Sequence, residues 1–210
     1  LWDMMALPSF FLPEAQLQRI LLLGVGGGAV INQLNYFLPL EKVLGVDIDK
    51  VHLQIAKKWF GVKQKNVQLE RADAVKWIDT YRGPQFDVLI EDLFGDEAQL
   101  DASRPNRAIE VSLDWFGKLK RCVSRQGVLV FNLESLKEAK RLAKMLGQSA
   151  AFGGLHGAVL THPQYDNAIA VWSEQPLTYK ALQVRLQGYK LLDQRSPSCR
   201  LKFNFRRLLN

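Results

Sequence analysis

The sequence predicts an α/β fold that is doubly wound around a mostly parallel sheet. Short apolar segments alternate with amphipathic segments along most of its 210 residues, and this alternation is typical of a parallel sheet with helices on both faces. The first apolar segment runs into the stretch "GVGGG" at residues 24–28, as expected where a strand turns tightly into a helix. No internal repeat or low-complexity linker interrupts the pattern, so we expect one domain.

Seven apolar segments are predicted as strands because they are short and bounded by turn or polar residues. The first five alternate with helices and lie at 20–23, 42–46, 67–70, 86–90 and 127–131. The last two, at 158–161 and 168–172, are joined by the turn-rich stretch "HPQYDN" and are expected to be neighbours. Residues 92–107, between the fourth and fifth strands, are predicted to be irregular, acidic and polar.

Helical periodicity predicts the segments between the strands, and the second helix shows the signals most completely. Asp49 precedes it as an N-cap, and Gly61 follows it as a C-terminal signal. Val51, Ile55 and Trp59 recur on one face. The predicted helices are 29–38, 50–60, 74–79, 109–123 and 135–146, with one more after Pro176.

The composition excludes several classes of protein. Hydrophobic residues make up 48% and charged residues 23% of the chain, as in an ordinary globular protein. No stretch approaches the ~18 uninterrupted apolar residues of a membrane span, and the apolar N-terminus has no basic region before it. We therefore expect a cytoplasmic protein without membrane contact. The cysteines and histidines form no close pairs, so no metal site is predicted.

The net charge of +7 favours an anionic partner bound through a basic surface, for example nucleic acid, an acidic protein or anionic lipid. A basic surface that is only solvated is the alternative. The basic tail "RLKFNFRRLLN" also leaves two interpretations, a nucleic-acid-binding segment or an edge strand. We prefer the edge strand, because apolar and polar residues alternate in "LKFNF".

Ligands of doubly wound sheets bind beyond the carboxyl ends of the strands, at the point where the strand order reverses. The residues that follow the first four strands are therefore the candidate site. They are Gly24–Gly28, Asp47–Asp49, Asp73–Ala74 and Glu91–Phe94.

The glycines and the acids at these positions indicate a nucleoside ligand. Gly24, Gly26 and Gly28 lead into a helix N-terminus that suits an anion, either a phosphate or an amino-acid carboxylate. Asp47 is placed to accept hydrogen bonds from ribose hydroxyls, which both a dinucleotide and a nucleoside sulfonium require. Asp73 favours the nucleoside sulfonium, because a carboxylate there can accept from an adenine amino group. A tight turn at the glycines and a helix cap at Asp73 are the structural alternatives.

Four segments resemble, in order and spacing, those of the spermidine synthase-like family within the S-adenosylmethionine-dependent methyltransferase superfamily. They are "LLLGVGGGAV", "VLGVDID", "LERADAVKWI" and "FDVLIEDLFGDE", and "MMALPSFF" resembles the segment before the fold. The resemblance covers residues 1–132 well and the rest loosely. It implies a Rossmann-like, class I methyltransferase fold with a seven-stranded sheet and an antiparallel C-terminal edge.

The resemblance also implies the organisation of the chain and its cofactor. We expect a lead-in segment at 1–18, an S-adenosylmethionine-binding Rossmann-like domain at 19–175, and a C-terminal helix and basic tail at 176–210 packed on the same domain. The cofactor is S-adenosylmethionine or its decarboxylated form. The expected cofactor-binding residues are Gly24, Gly26, Gly28, Asp47, Ile48, Asp73, Ala74 and Asp92.

This chain departs from the aminopropyl-transferring members at the acids that bind their amine. Those members carry an Asp where this chain has Gly27, and a second Asp three residues beyond the position of Asp92, where this chain has Gly95. Asp96 lies one step further along. The small N-terminal β-domain of those members has no counterpart in these residues. Because a polyamine needs several converging carboxylates, polyamine synthesis is not the expected reaction.

Methyl transfer needs less machinery, because holding the acceptor in line with the methyl carbon supplies much of the rate. Asp92 or Glu91 is the candidate proton acceptor, and one of the two is expected to face away because strand residues alternate. We favour Asp92, from its match to the family. Phe94 and Tyr165 are the candidate acceptor-binding residues.

The expected function is therefore that of an S-adenosylmethionine-dependent methyltransferase with an unknown acceptor, either a small molecule or a protein. The alternatives are an aminopropyltransferase that uses a displaced acid such as Asp96, and a non-catalytic nucleoside-binding interaction module. A dinucleotide oxidoreductase is the most distant alternative. By analogy with the family, a homodimer is also considered, with the N-terminal aromatics Trp2, Phe10 and Phe11 expected to be exposed at its interface.

Overall fold

The computed structural model describes residues 1–95 and 106–209. Most of the segment predicted to be irregular, including the displaced acid Asp96, lies outside these residues. Ten strands are described. They are β1 (Arg19–Leu23), β2 (Lys42–Asp47), β3 (Val67–Arg71), β4 (Phe86–Glu91), β5 (Phe94–Gly95), β6 (Asn106–Arg107), β7 (Val123–Leu133), β8 (His156–Thr161), β9 (Ala168–Ser173) and β10 (Asn204–Leu209).

Eight of these strands form one sheet in the order β10-β8-β9-β7-β4-β1-β2-β3. Strands β3, β2, β1, β4 and β7 run parallel, and β9, β8 and β10 add an antiparallel edge. The predicted α/β fold is confirmed, and the tail forms the predicted edge strand, so the sheet has eight strands where seven were expected. Strands β5 and β6 form a separate two-stranded ribbon.

The strand order reverses between β1 and β4, because the chain first adds β2 and β3 on one side and then adds β4 and β7 on the other. Leu23, the last residue of β1, lies level with Val46 of β2 and with Glu91 of β4. Glu91 in turn lies level with Phe131 of β7. The carboxyl ends of these four strands therefore meet at one edge, as a ligand site at the switch point requires.

Seven α-helices among the described residues cover the two faces of the sheet. They are α1 (Trp2–Ala6), α2 (Ala29–Phe37), α3 (Lys50–Lys58), α4 (Ala74–Thr80), α5 (Leu113–Arg121), α6 (Leu136–Gly147) and α7 (Tyr179–Leu186). Successive residues of β1 enter opposite cores: Ile20 and Leu22 pack on one face, and Leu21 and Leu23 on the other. A strand that is buried on both faces has a continuous apolar sequence, and this pattern predicted β1.

Most helix boundaries agree with the sequence signals, and one prediction is too long. Asp49 caps α3, since its Oδ1 atom accepts a hydrogen bond from the Val51 N–H at 2.6 Å. The helix predicted over 109–123 is wrong at both ends. It begins after Ser112, whose hydroxyl accepts from the Trp115 N–H at 3.1 Å, and the chain enters β7 at Val123.

The first 18 residues pack against the sheet domain as part of its core. Helix α1 and the 3₁₀ turn at Leu7–Phe11 lie against α2 and α7. Phe10 is only 3% exposed and packs edge-on against Phe37 and Tyr189. The expectation that the N-terminal aromatics are exposed for dimerisation is therefore wrong for Phe10, and of the three only Trp2, at 58%, is largely exposed.

Exposed cations lie on two neighbouring elements at the antiparallel edge. Helix α6 exposes Lys137, Lys140 and Lys144, and β10 exposes Arg206 beside it. An anionic partner for this surface stays a prediction. Within residues 1–95 and 106–209, no helix has the length and hydropathy needed to cross a bilayer.

The buried lead-in generates a stability prediction. Phe10→Ala is expected to lower the free energy of unfolding by about 3–5 kcal/mol, because it leaves a cavity between two aromatic rings. Trp2→Ala, the control at an exposed position of the same segment, is expected to change it by less than about 0.5 kcal/mol. Urea denaturation followed by circular dichroism measures both. Equal effects of the two changes would show that the lead-in does not belong to the core.

Candidate functional site

The glycine loop between β1 and α2 touches the end of β4. Gly24 has φ +84°, and a Cβ atom placed on it would lie 2.1 Å from the carbonyl oxygen of Asp92. Gly28 has φ +77°, and its Cβ would lie 2.6 Å from the side chain of Val62. At Gly26 a Cβ would meet nothing within 4 Å. The backbone of Asp92 thus requires glycine at 24, and the left-handed φ and the Val62 side chain favour it at 28. Gly26 borders open space where a ligand can approach the backbone.

Asp47, at the end of β2, holds the glycine loop. Its Oδ2 atom accepts from the N–H groups of Val25 and Gly26 at 2.8 and 3.0 Å, and its Oδ1 atom accepts from the Asp49 N–H at 2.8 Å. An ionised carboxylate has about four acceptor positions, so Oδ1 retains one for a ligand hydroxyl. The His52 Nδ1 atom lies 3.7 Å from the same oxygen.

Asp73, after β3, caps a helix with one carboxylate oxygen and leaves the other outside the cap. Its Oδ1 atom caps α4 by accepting from the N–H groups of Val75 and Lys76 at 2.9 and 3.4 Å. The partly exposed Oδ2 atom lies 4.0 Å from the Lys76 ammonium and makes no such cap. The helix-cap interpretation is therefore correct, and it leaves one oxygen for an adenine amino group.

Two further predicted cofactor residues lie at the same edge of the sheet. Ala74 is buried in the first turn of α4, directly after the Asp73 cap. Ile48 follows Asp47, and its side chain is largely exposed. The Arg71 Nε atom donates to the Ile48 carbonyl at 3.4 Å and ties this turn to β3. The exposed apolar side chain of Ile48, next to the expected ribose-binding residue Asp47, is suited to contact the face of an adenine ring.

Asp92 lies at the centre of the edge, half-buried between the glycine loop and β7. The amide of Asn132 donates to its Oδ1 atom at 2.7 Å, and the amide of Asn167 donates to Asn132 at 3.1 Å. Burial raises the pKa of the Asp92 carboxyl, and repulsion from Asp47 acts in the same direction, against the Asn132 hydrogen bond and the charge of Arg107. A raised pKa makes this carboxylate a better proton acceptor.

Glu91 occupies a different environment, although it is the next residue. Its carboxylate is fully buried, and both oxygens accept from the Arg107 Nη2 atom, at 2.6 and 2.8 Å. The indole N–H of Trp115 donates to it at 3.4 Å. A carboxylate that is engaged in this way inside the protein is not placed to meet an acceptor, whereas Asp92 faces the site.

The candidate acceptor-binding residues lie on two segments that hydrogen bonds connect to Asp92. Phe94 is half-buried in β5, and its ring centre lies 5.6 Å from the Arg107 guanidinium carbon. Tyr165 is exposed in the turn between β8 and β9, with its ring 5.4 Å from that of His162. Asn167 ends this turn and connects it to Asp92 through Asn132.

Sequence reasoning missed three residues of this network. Asn132 lies at the end of the fifth parallel strand, so the rule used for the first four strands would have found it. Asn167, at the end of "HPQYDN", carries only a general turn signal. Arg107 lies 16 residues beyond Glu91, and nothing local in the sequence indicates that the two meet. In the described part of the chain, no group of three or more potential ligands is arranged for a metal ion.

The chain matches one protein family and several curated proteins. A family model described as a spermine/spermidine synthase domain matches residues 3–175. Polyamine aminopropyltransferase 2 of Caldanaerobacter subterraneus subsp. tengcongensis is 32% identical over 116 residues, 54% of this chain and 37% of that protein. The eEF1A lysine and N-terminal methyltransferase of Mus musculus is 28% identical over 147 residues, 67% of this chain and 21% of that protein. The chain thus spans well under half the length of both relatives.

Solved structures of both kinds of enzyme share the fold. Human methyltransferase-like protein 13, in complex with SAH, has a TM-score of 0.68 at 22% identity, over 92% of this chain and 90% of that one. Spermidine synthase from Thermotoga maritima has a TM-score of 0.65 at 15% identity, over 90% of this chain and 64% of that one. At these identities the likeness establishes the fold, and it does so about equally for the two.

The environment of Asp92 generates a pH-dependent prediction. Because its pKa is higher in the folded protein than in the unfolded chain, folding favours the protonated carboxyl. The resulting contribution to stability is present below the ordinary pKa of about 4 and is lost as the pH rises through the raised value. Asp92→Asn removes this titration, so the variant is expected to gain stability over the wild type as the pH rises above the ordinary pKa of about 4. The gain is about 1.4 kcal/mol for each unit of pKa shift.

Urea denaturation at several pH values measures this difference. The amide that replaces the carboxyl in Asp92→Asn still presents an oxygen to Asn132, so the hydrogen bond is kept. Glu41→Gln, at an exposed carboxylate, controls for the removal of one negative charge. A difference between wild type and Asp92→Asn that stays constant with pH would contradict the prediction.

Proposed function

The chain belongs to the spermine/spermidine synthase family, and from this membership we propose that it is an S-adenosylmethionine-dependent methyltransferase that acts on an amine nitrogen. The proposal depends chiefly on the environment of Gly27. A Cβ atom at this position would lie 3.3 Å from the ring of Phe60, so an aromatic surface stands where the aminopropyl-transferring members place an acid. Gly95 replaces the second family acid. The residues on the cofactor side are kept, and two that would hold a polyamine are not.

The arrangement of polar atoms fits the proposed cofactor. The free acceptor position on Asp47 suits a ribose hydroxyl, and the Oδ2 atom of Asp73 suits the adenine amino group. Helix α2 begins at Ala29, and its N-cap residue Gly28 provides no side-chain cap. Its first-turn N–H groups and partial positive charge suit a carboxylate. This feature favours S-adenosylmethionine over its decarboxylated form, which has lost that group.

The bound cofactor would supply a methyl group on a positively charged sulfur. Asp92 lies beside the glycine loop, with Asn132 fixing its Oδ1 atom. Its negative charge attracts a cationic amine, and its raised pKa lets it take the proton that the nitrogen loses. Once Asp92 has taken that proton, the amine nitrogen would accept the methyl carbon as the carbon–sulfur bond of the cofactor breaks. Phe94 and Tyr165 provide the apolar contacts that hold the acceptor in line.

A protein amine is the acceptor class that the relatives suggest. The eEF1A methyltransferases are named for lysine and N-terminal methylation, and both of these acceptors are amines. We therefore propose that the acceptor is an amine, either of a protein or of a small molecule. We also propose that the present protein is cytoplasmic. Assembly as a homodimer stays a prediction.

Aminopropyl transfer is the second candidate, because a polyamine aminopropyltransferase is 32% identical over 116 residues. It would require an acid such as Asp96 to replace those missing at positions 27 and 95. A non-catalytic nucleoside-binding module is the third candidate, and detectable turnover with any acceptor removes it.

Calorimetric titration tests the cofactor. We expect the protein to bind S-adenosylmethionine and S-adenosylhomocysteine more tightly than decarboxylated S-adenosylmethionine. Asp47→Asn is expected to weaken S-adenosylhomocysteine binding by about 10–100-fold, because charge-assisted hydrogen bonds to the loop and the ribose are lost. Asp114→Asn, at an exposed carboxylate outside the site, serves as the matched control and should bind like the wild type.

The three candidate functions predict different results. A preference for the decarboxylated cofactor would support aminopropyl transfer instead. Transfer of a labelled methyl group to polylysine, an unblocked peptide N-terminus or putrescine would support the proposal and identify the class of amine. Cofactor binding without transfer to any acceptor would leave the interaction module as the better description.

A further inference from the structure

Arg107 is a buried cation in contact with β4, which leads to Asp92, and with β7, which carries Asn132. Its side chain is 5% exposed. The Nη2 atom donates to both oxygens of Glu91, at the end of β4, and the Nη1 atom donates to the carbonyl oxygen of Asn132, near the end of β7, at 2.5 Å. One guanidinium group therefore joins the carboxyl ends of two neighbouring parallel strands.

The backbone of Arg107 is also fixed relative to the site. Arg107 pairs with Phe94 in the ribbon of β5 and β6. The Phe94 N–H donates to the carbonyl oxygen of Asp92 at 3.2 Å, and the Ala108 N–H donates to the Leu93 carbonyl at 2.9 Å. The Arg107 N–H donates to the Glu134 carboxylate at 3.2 Å. These bonds hold the guanidinium between β4 and β7.

We propose that Arg107 is a positioning residue: by tying Glu91 to the Asn132 carbonyl, it holds the side chains of Asp92 and Asn132 in the geometry that binds the cofactor and the acceptor. Asp92 is the residue after Glu91, and its Oδ1 atom accepts from the side chain of the same Asn132. A shift between the two strand ends would therefore lengthen this hydrogen bond directly.

The planar guanidinium is what this position requires. It directs one nitrogen at a carboxylate and another at a carbonyl in a fixed geometry, whereas a lysine ammonium is a single point that cannot satisfy both at once. Arg107→Lys keeps the positive charge near Asp92 and removes the fork. The substitution therefore separates the geometric role from the electrostatic one.

The test is a double-mutant cycle on the affinity for S-adenosylhomocysteine, and it rests on the proposed function because that ligand is the probe. The four proteins are the wild type, Arg107→Lys, Asp92→Ala and the double variant, titrated by calorimetry. Asp92→Ala removes the side chain that Arg107 is proposed to position. If Arg107 acts through Asp92, Arg107→Lys weakens binding by about fivefold or more in the wild type and by less than about twofold in the Asp92→Ala background. Residues that act independently give equal factors in both backgrounds.

Two further variants keep the result interpretable if Arg107→Lys folds poorly. Glu91→Gln keeps the size of the partner and removes its charge, and it is expected to show the same coupling to Asp92→Ala. Arg121→Lys is the matched control, because Arg121 also donates to a carbonyl, that of Ile78, at 2.7 Å. This contact lies near the amino end of β7, away from the site. The control substitution should leave the affinity unchanged. Thermal unfolding checks that all variants are folded at the temperature of titration.

Each outcome has a separate meaning. Coupling between positions 107 and 92, with none at 121, supports the positioning role. Equal factors in both backgrounds, or an Arg107→Lys affinity like that of the wild type, overturn it and leave the proposed function intact. A wild-type protein that does not bind S-adenosylhomocysteine overturns the proposed function and this inference with it.

Discussion

The close approach of the glycine loop to the end of β4 is the constraint on which the site depends. The Asp92 carbonyl lies 2.1 Å from where a Cβ at Gly24 would be, so no other residue fits there without moving one of the two strands. This contact brings Asp92 to the loop that Asp47 holds through the N–H groups of Val25 and Gly26. Any larger residue at 24 would move the loop that Asp47 holds away from Asp92.

Several carboxylates are gathered at this edge in a protein whose net charge is +7. Each is compensated differently. Asp47 accepts three backbone N–H groups, Glu91 pairs with Arg107, and Asp73 caps α4. Asp92 receives a neutral amide from Asn132, while the charge of Arg107 favours its ionised form and Asp47 repels it. A cationic group from a ligand, such as an amine, would lower the energy of this carboxylate.

The sequence was sufficient for the features that have local signals. The apolar runs of the parallel strands, the caps at Asp49 and Asp73 and the glycine loop each follow from a few neighbouring residues. The burial of Phe10 and the position of Arg107 depend instead on contacts between distant segments. Asn132 lies between these cases. It directly follows the predicted strand at 127–131, so the position of ligand sites beyond strand ends indicates it, but its residue type carries no local signal. Alternation along β4 predicted that only one of Glu91 and Asp92 faces the site, but not what the other would meet.

The pairing of Glu91 with Arg107 explains how two adjacent acids can serve different purposes. Burying Glu91 alone would leave an uncompensated charge in the core, which costs several kcal/mol. Arg107 offsets part of that cost, although burial still raises the pKa of Glu91. Its second nitrogen contacts the Asn132 carbonyl, so the interaction that makes Glu91 tolerable also contacts the strand beside Asp92. A hydrophobic pair could fill the same space without costing stability. It could not direct a donor at the Asn132 carbonyl, and this difference is the reason to treat the ion pair as part of the site rather than as packing.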